Sequence, residues 1–191
     1  MASESVGVEA QQIDRGAESD LPALMIGYQQ GNAQAVDELV RRLSPPLWRY
    51  FLASTSRDEA EDLLQECWIR IHKARHTYRP SEPLLPWVYA IARHTRLDEY
   101  RKRRRRETRE SLVAVPPELP AQESRHAGGP DLERILNDLP ESQREVILML
   151  KFSDMSLEEV AGATASTVGA VKQKAHRAYA KLRQILEKEG R

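Results

Sequence analysis

Between Asp98 and Glu107 the sequence reads DEYRKRRRRE, with Arg101, Lys102, Arg103, Arg104, Arg105 and Arg106 in an unbroken row. Cations at that density suit one kind of chemistry, the neutralisation of a polyanion. Each duplex phosphate contacted releases counterions, so affinity falls by about 0.9 log units per log unit of salt for every contact. Like-charge runs also occur as solvated tails, import-like signals and general polyanion binders, so charge alone does not choose among them. Position adds information. The row extends a helix that starts at Trp87, which delivers the arginines in a fixed direction beside Arg93, His94, Thr95 and Arg96.

A second polar set lies near the other end of the chain. In TVGAVKQKAHRAYAKLRQILEKE, the side chains of Lys172, Gln173, Lys174, His176 and Arg177 are able to reach phosphates and base edges if their helix enters a major groove. The preceding helix, LEEVAGAT, and the short turn TAS complete the pattern of a helix-turn-helix. That motif needs a small residue at the crossing, a tight turn and an inward apolar residue; Ala161, Ala165 and Val171 fit those places. Gly169 costs its helix about 1 kcal/mol relative to alanine, which points to close approach of another backbone. An ordinary helical hairpin with a solvated charged face carries the same pattern.

A third set is Asp62, Gln65, Glu66, Arg70 and Lys73, which fall opposite the apolar face Leu63, Leu64, Cys67, Trp68 and Ile71 of one helix. Catalytic chemistry has little to work with. His72 and His76 are one helical turn apart, yet no third metal ligand is evident and Cys67 points to the apolar face. No glycine-rich phosphate loop and no nucleophile with a base are present, so no active site and no cofactor are expected. The single cysteine excludes a CxxC motif and an internal disulfide, and reads as a buried small apolar residue.

These sets must be held by helices. Ser56 and Glu59 have capping-box spacing at the head of SRDEAEDLLQECWIRIHKA, as do Asp138 and Glu141 around Pro140, and Ser156 and Glu159. Upstream, LPALMIGYQQGNAQAVDELVRRLSPPLWRYFLAST has helical periodicity, with breaks expected at Gly31-Asn32 and at Pro45-Pro46. After the proline-bearing stretch HTYRPSEPLLP, one helix is expected with Trp87, Ile91 and Leu97 inward and the basic row as its tail. SQREVILMLKFSDM supplies a face of Val146, Ile147, Leu150 and Met149. Between the two halves, SLVAVPPELPAQESRHAGGPD has four prolines and paired glycines without a usable period, the composition of a linker.

The expected fold is therefore all-α: two small helical domains joined by a flexible linker. The boundaries are an acidic disordered tail over 1–20, a first domain over 21–106, a linker over 107–131 and a second domain over 132–187. The chain has 191 residues, enough for two modest cores, and its 29 Lys+Arg balance 29 Asp+Glu. No apolar run reaches the roughly 20 residues of a membrane span, and the N-terminus lacks the pattern of a signal peptide, so a cytoplasmic chain is expected.

In order and separation, EAEDLLQECWIRIHKA, PWVYAIARHTRLDEYRKRRRR, a proline-rich gap and LPESQREVILMLKFSDMSLEEVAGATASTVGAVKQKAHRAYAKLR resemble the extracytoplasmic-function sigma factors of bacterial RNA polymerase, over about Leu21 to Leu186. The resemblance implies that Asp62, Gln65 and Glu66, with Arg70 beside them, dock on the clamp coiled coil of the polymerase largest subunit. It implies that the segment of Trp87, Ile91, Ala92 and His94, with the loop after it, captures a flipped base of the minus-10 element. The frequent asparagine of that segment is His94 here. The minus-10 contacts implied are Arg93, His94, Thr95, Arg96, Arg101, Arg103 and Arg104, with Trp87 and Trp68 assigned to the core. The minus-35 contacts implied are Thr167, Lys172, Gln173, Lys174, His176 and Arg177. Arginine is commoner in the family at Lys172, and lysine lacks the planar two-point contact to guanine.

The family also implies partners: core RNA polymerase through its clamp and flap regions, promoter DNA, and an anti-sigma factor that holds the protein inactive and, where membrane-bound, tethers it to the inner membrane without insertion of this chain. A conventional dimeric helix-turn-helix regulator is the alternative for Ser156 to Leu186, but leaves the Asp62 helix unexplained. An RNA-binding scaffold accounts for the arginine row alone.

Overall fold

The computed structural model describes residues 20–111, 135–136 and 138–189. The acidic tail and most of the linker expected from the sequence lie outside the described residues. All regular elements among the described residues are helical, as expected: α1 (Leu21–Gln29), α2 (Ala33–Leu52), α3 (Arg57–Ala74) with a 3-10 turn at Arg75–Thr77, α4 (Leu84–Ser111), α5 (Glu141–Phe152), α6 (Leu157–Ala163) and α7 (Val168–Glu189). None of the described helices is long and apolar enough to cross a membrane.

Helices α1 to α4 form the first module. The break at Gly31-Asn32 is present: Gly31 adopts φ +83°, and the Asn32 side chain accepts hydrogen bonds from the amides of Gln34 and Ala35 to start α2. Gly27 lets α1 and α2 approach, because a Cβ there would lie 2.8 Å from that of Ala35. The break expected at Pro45-Pro46 is absent, and α2 runs through both prolines. Interior prolines weaken a helix, but here Leu39, Leu43, Leu47, Tyr50 and Phe51 are all almost fully buried along one face. Burying each such side chain is worth about 1.5–3 kcal/mol, enough to offset the missing backbone bonds.

Helix α3 begins with the expected capping box of Ser56 and Glu59. It buries Ala60, Leu63, Cys67 and Ile71, with Leu64 and Trp68 packed against the same core. The thiol of Cys67 is pushed up to about 12 by burial. Trp68 donates from Nε1 to Ser44 Oγ at 3.0 Å, and Trp87 from Nε1 to Thr77 Oγ1 at 3.2 Å, and both partly buried rings pack against the core. Helix α4 continues from Glu107 to Ser111, past the expected start of the linker; that stretch contains no glycine or proline to stop it.

Helices α5 to α7 form the second module. The capping box expected at Asp138 and Glu141 does not form. Helix α5 starts at Glu141 behind Pro140, whose carbonyl accepts from Gln143 and Arg144, so Asp138 is outside the first turn. The box of Ser156 and Glu159 does head α6. At its end Ala165 has φ +49°, and the amides of Ser166 and Ala165 close back on the carbonyls of Ala161 and Gly162 at 2.9 and 3.2 Å. This is a Schellman closure with alanine where glycine is usual. We expect Ala165→Gly to stabilise the protein by up to about 1 kcal/mol, read as a thermal midpoint raised by a few degrees. A lower midpoint would contradict the strain. The close approach expected at Gly169 is not found, since an added Cβ would meet nothing nearer than Thr167 Oγ1 at 4.0 Å; nothing in the structure explains that glycine.

The two modules pack together. Helix α6 lies against α4 and α5 against α2, and the buried apolar residues of both modules join in one cluster. Polar contacts cross the same boundary. Tyr50 Oη donates to Glu145 Oε1 at 2.8 Å, Arg96 Nη2 to the same oxygen at 3.0 Å, Arg144 to the Ala53 carbonyl at 2.5 Å, and Tyr89 meets the Ser153 hydroxyl.

Candidate docking and nucleic-acid interfaces

The polar face of α3 is presented rigidly. With Leu63, Cys67 and Ile71 locked inward, Asp62 and Gln65 stand in solvent, Glu66 is half-buried, and Ile69 beside them is 48% exposed. Arg70 is less free than its neighbours. Its Nε donates to Glu66 at 2.8 Å and its Nη1 to Asp98 of α4 at 2.7 Å, bridging the two helices. This pair orients Glu66 and fixes α3 against α4.

The hydrogen bond from Arg70 holds the Asp98 carboxyl below its ordinary value. Hydrogen bonds from Arg41 and Arg42 hold Glu38 at about 2. Both folded values are depressed. The stability they confer is therefore present above the unfolded carboxylate range and lost as pH falls through the folded values. Thermal melts should show the midpoint dropping from about pH 4.5 toward pH 2, and Arg70→Met should flatten part of that slope. A midpoint independent of pH in this window would contradict the pairings.

Helix α4 carries the basic set, and the structure divides it. His94 is exposed. Thr95 is 1% exposed and donates its hydroxyl to the Ile91 carbonyl. Arg96 is 8% exposed, paired with Glu145 and with Glu141 at 3.1 Å, and its guanidinium lies 5.2 Å from the Tyr50 ring centroid. Arg93 is half-buried with Nε 3.5 Å from Glu145. One helical turn beyond, Arg101 and Arg104 with Leu97, Tyr100 and Arg105 line an open cleft of about 620 Å³, and Tyr100 is 60% exposed there. Arg103 turns back to Glu59, the residue that closes the α3 capping box. Burial alone would raise Glu59; the hydrogen bond from Arg103 and those at Ser56 outweigh it and hold the carboxyl low.

In α7 the inward seam is Val171, Ala175 and Ala178, packed under Val160 and Ala161 of α6. That seam turns Lys172, Gln173, His176 and Arg177 to solvent, with Lys174 half-buried. The Thr167 hydroxyl accepts from the Ala170 amide at 3.2 Å, capping the helix. Lys172 and His176 also line a groove of about 390 Å³ floored by Leu150, Leu157 and Tyr179. Three features thus lie on separate, rigid elements: an acidic and amide face on α3, a basic end on α4 and a polar face on α7. Sequence reasoning placed all three. It missed Tyr100, Ile69 and Glu145; the first two were visible as apolar residues out of phase with the buried stripe, and Glu145 had no local signal.

Together, the two helical modules, the terminal helix-turn-helix and the arginine row are the features of a DNA-binding protein. The chain belongs to the sigma-70 family of RNA polymerase initiation factors, within the extracytoplasmic-function (ECF) group, and has no catalytic activity of its own. The model of Sigma-70 region 2 matches residues 39–106 and that of Sigma-70, region 4 matches residues 131–182. The RNA polymerase sigma factor CarQ of Myxococcus xanthus is 30% identical over 168 residues, covering 83% of this chain and 93% of its own. The ECF RNA polymerase sigma factor SigF of Caulobacter vibrioides is 29% identical over 174 residues, covering 90% and 96%. Among solved structures, the sigma factor RpoE in complex with the anti-sigma factor NepR from Bartonella quintana superposes with a TM-score of 0.65 at 26% identity, over 81% of this chain and 98% of that one. The dimeric-regulator alternative gives way to this assignment, which also accounts for the α3 helix. The protein is an alternative sigma factor.

Proposed function

We propose that this sigma factor docks on core RNA polymerase through Asp62, Gln65 and Glu66, with Arg70 as the residue that orients Glu66. In this reading the module over 21–106 engages the minus-10 element through Arg93, His94, Thr95 and Arg96 and through the basic end at Arg101, Arg103 and Arg104. The module over 132–187 reads the minus-35 element through Thr167, Lys172, Gln173, Lys174, His176 and Arg177, and the residues after Ser111 connect it to the first. The polymerase contacts are the clamp of the largest subunit and the flap. The observation that carries the reading is the α3 face: Asp62 and Gln65 project into solvent from a capped helix whose opposite side is locked in the core. A solvated flank does not require such fixation.

The protein acts in the bacterial cytoplasm, and an anti-sigma factor holds it inactive until a stress or envelope signal; the likeness to a sigma factor solved with its anti-sigma factor supports this part. A membrane-anchored inhibitor would tether the complex to the inner membrane. Footprinting tests the core of the proposal. Holoenzyme should protect two elements centred about 25 base pairs apart, while this chain alone protects neither at moderate salt. Protection of paired half-sites by the chain alone would overturn it. A co-purifying partner that suppresses transcription in vitro tests the inhibitor; transcription unchanged by the partner would count against it.

A further inference from the structure

Two of the three side chains that face Glu145, Arg93 and Arg96, are cations proposed to contact promoter phosphate. A single carboxylate oxygen, Glu145 Oε1, takes Tyr50 Oη, Arg96 Nη2 and, at 3.5 Å, Arg93 Nε. Glu141 adds a second carboxylate to Arg96. Glu145 is 6% exposed and Arg96 8%, so the charges have given up most of their water. Yet the pairing is incomplete. Among the described residues, the buried Nε atoms of Arg93 and Arg96 have no hydrogen-bond acceptor. Burial, and secondarily the charge of Arg96, push Arg144 below its ordinary value. A buried ion pair of this kind adds little net stability, but it sets a geometry, and removal of one partner is strongly unfavourable.

We propose that Glu145 is an intramolecular stand-in for DNA phosphate, which latches the second module over the Arg93 and Arg96 surface in the free protein and is displaced when promoter DNA takes those arginines. The inference rests on the assignment of α4 to promoter DNA. Geometry requires an opening in any case. Elements about 25 base pairs apart lie about 85 Å apart at 3.4 Å per pair. A compact body of this chain's size is about 40 Å across. The closed arrangement therefore cannot occupy both elements, and the latch must release before the two modules read one promoter. The buried Nε atoms of Arg93 and Arg96 make the latch reversible, because an incoming phosphate offers them acceptors that Glu145 does not.

The test uses the full chain with donor and acceptor dyes on cysteines introduced by Arg79→Cys and Gln184→Cys, both at exposed positions, while native Cys67 is buried. Energy transfer should be high in the free protein, and should fall on titration with labelled oligo-dT as the phosphate probe. Glu145→Ala should lower transfer without DNA and bind oligo-dT about tenfold more tightly, because the open fraction no longer limits affinity. Tyr50→Phe, which removes one donor and keeps the ring, should move both readings the same way by less. Low transfer in the parent, or transfer and affinity unchanged in Glu145→Ala, would overturn the latch. Transcription with core polymerase is read separately: a latch that opens with DNA while no variant initiates would remove the promoter reading and keep the latch.

Discussion

The double variant Gln65→Ala, Glu66→Ala is expected to weaken binding to core polymerase by about a thousandfold while melting close to the parent temperature, because truncating hot-spot residues costs about 2 kcal/mol or more each at an interface. Neither side chain supports the core. Gln65 is exposed, and Glu66 contributes only a surface pair with Arg70, worth about 0.3–0.5 kcal/mol. A variant elsewhere on α3, Arg57→Ala, serves as the comparison, since Arg57 pairs only loosely with Glu61 at 3.6 Å. If both variants bind core enzyme equally well, the α3 face is a solvated flank and docking lies elsewhere. Arg70→Ala should fall between them, since it releases Glu66 and Asp98 together without removing either carboxylate.

The second large effect concerns the basic end of α4. Arg101→Gln, Arg104→Gln, Arg105→Gln should reduce the salt slope of DNA binding by holoenzyme by up to about 2.7 log units per log unit, at 0.9 for each phosphate lost. At low salt the same variant should retain core binding and lose promoter opening. These side chains line an open cleft, away from the module contact that holds Arg96. Glutamine keeps the length and hydrogen-bonding capacity and removes only the charge. An unchanged salt slope would mean that the arginine row is not on the DNA path. Tyr100 is exposed in the same cleft, and aromatic rings of this kind are surfaces on which unpaired bases stack.

Much of this molecule is local, and local features were legible. The capping boxes at Ser56 and Ser156 depend on residues three apart, and both form. The apolar stripe of α3 and the inward Val171 of the helix-turn-helix follow from helical period alone. What was not legible depends on packing between distant segments. Pro45 and Pro46 are a strong local stop signal, overridden by Leu43, Leu47, Tyr50 and Phe51, whose partners lie on other helices. The box at Asp138 fails by a shift of the helix start past Pro140. Thr95 and Arg96 are polar residues on a basic helix that are nonetheless buried, and the partners of Arg96 include Ser54, the Tyr50 ring and Glu145, which is 49 positions further on. No spacing rule connects residues so far apart.

The chain length between the modules fits the same account. Residues 112–134 are enough to span about 75–80 Å when extended, comparable to the distance between promoter elements. A tether of that reach allows the modules to pack together in one state and to separate in another.

Run-off transcription from a promoter library, with core polymerase alone, with this protein added, and with the Gln65→Ala, Glu66→Ala variant, decides whether this chain initiates transcription through its α3 face. Start sites should appear only with the parent protein, share two elements at a fixed spacing and fade with the variant. Active core enzyme that initiates nothing new in its presence, while the chain alone binds duplex DNA tightly, would contradict it.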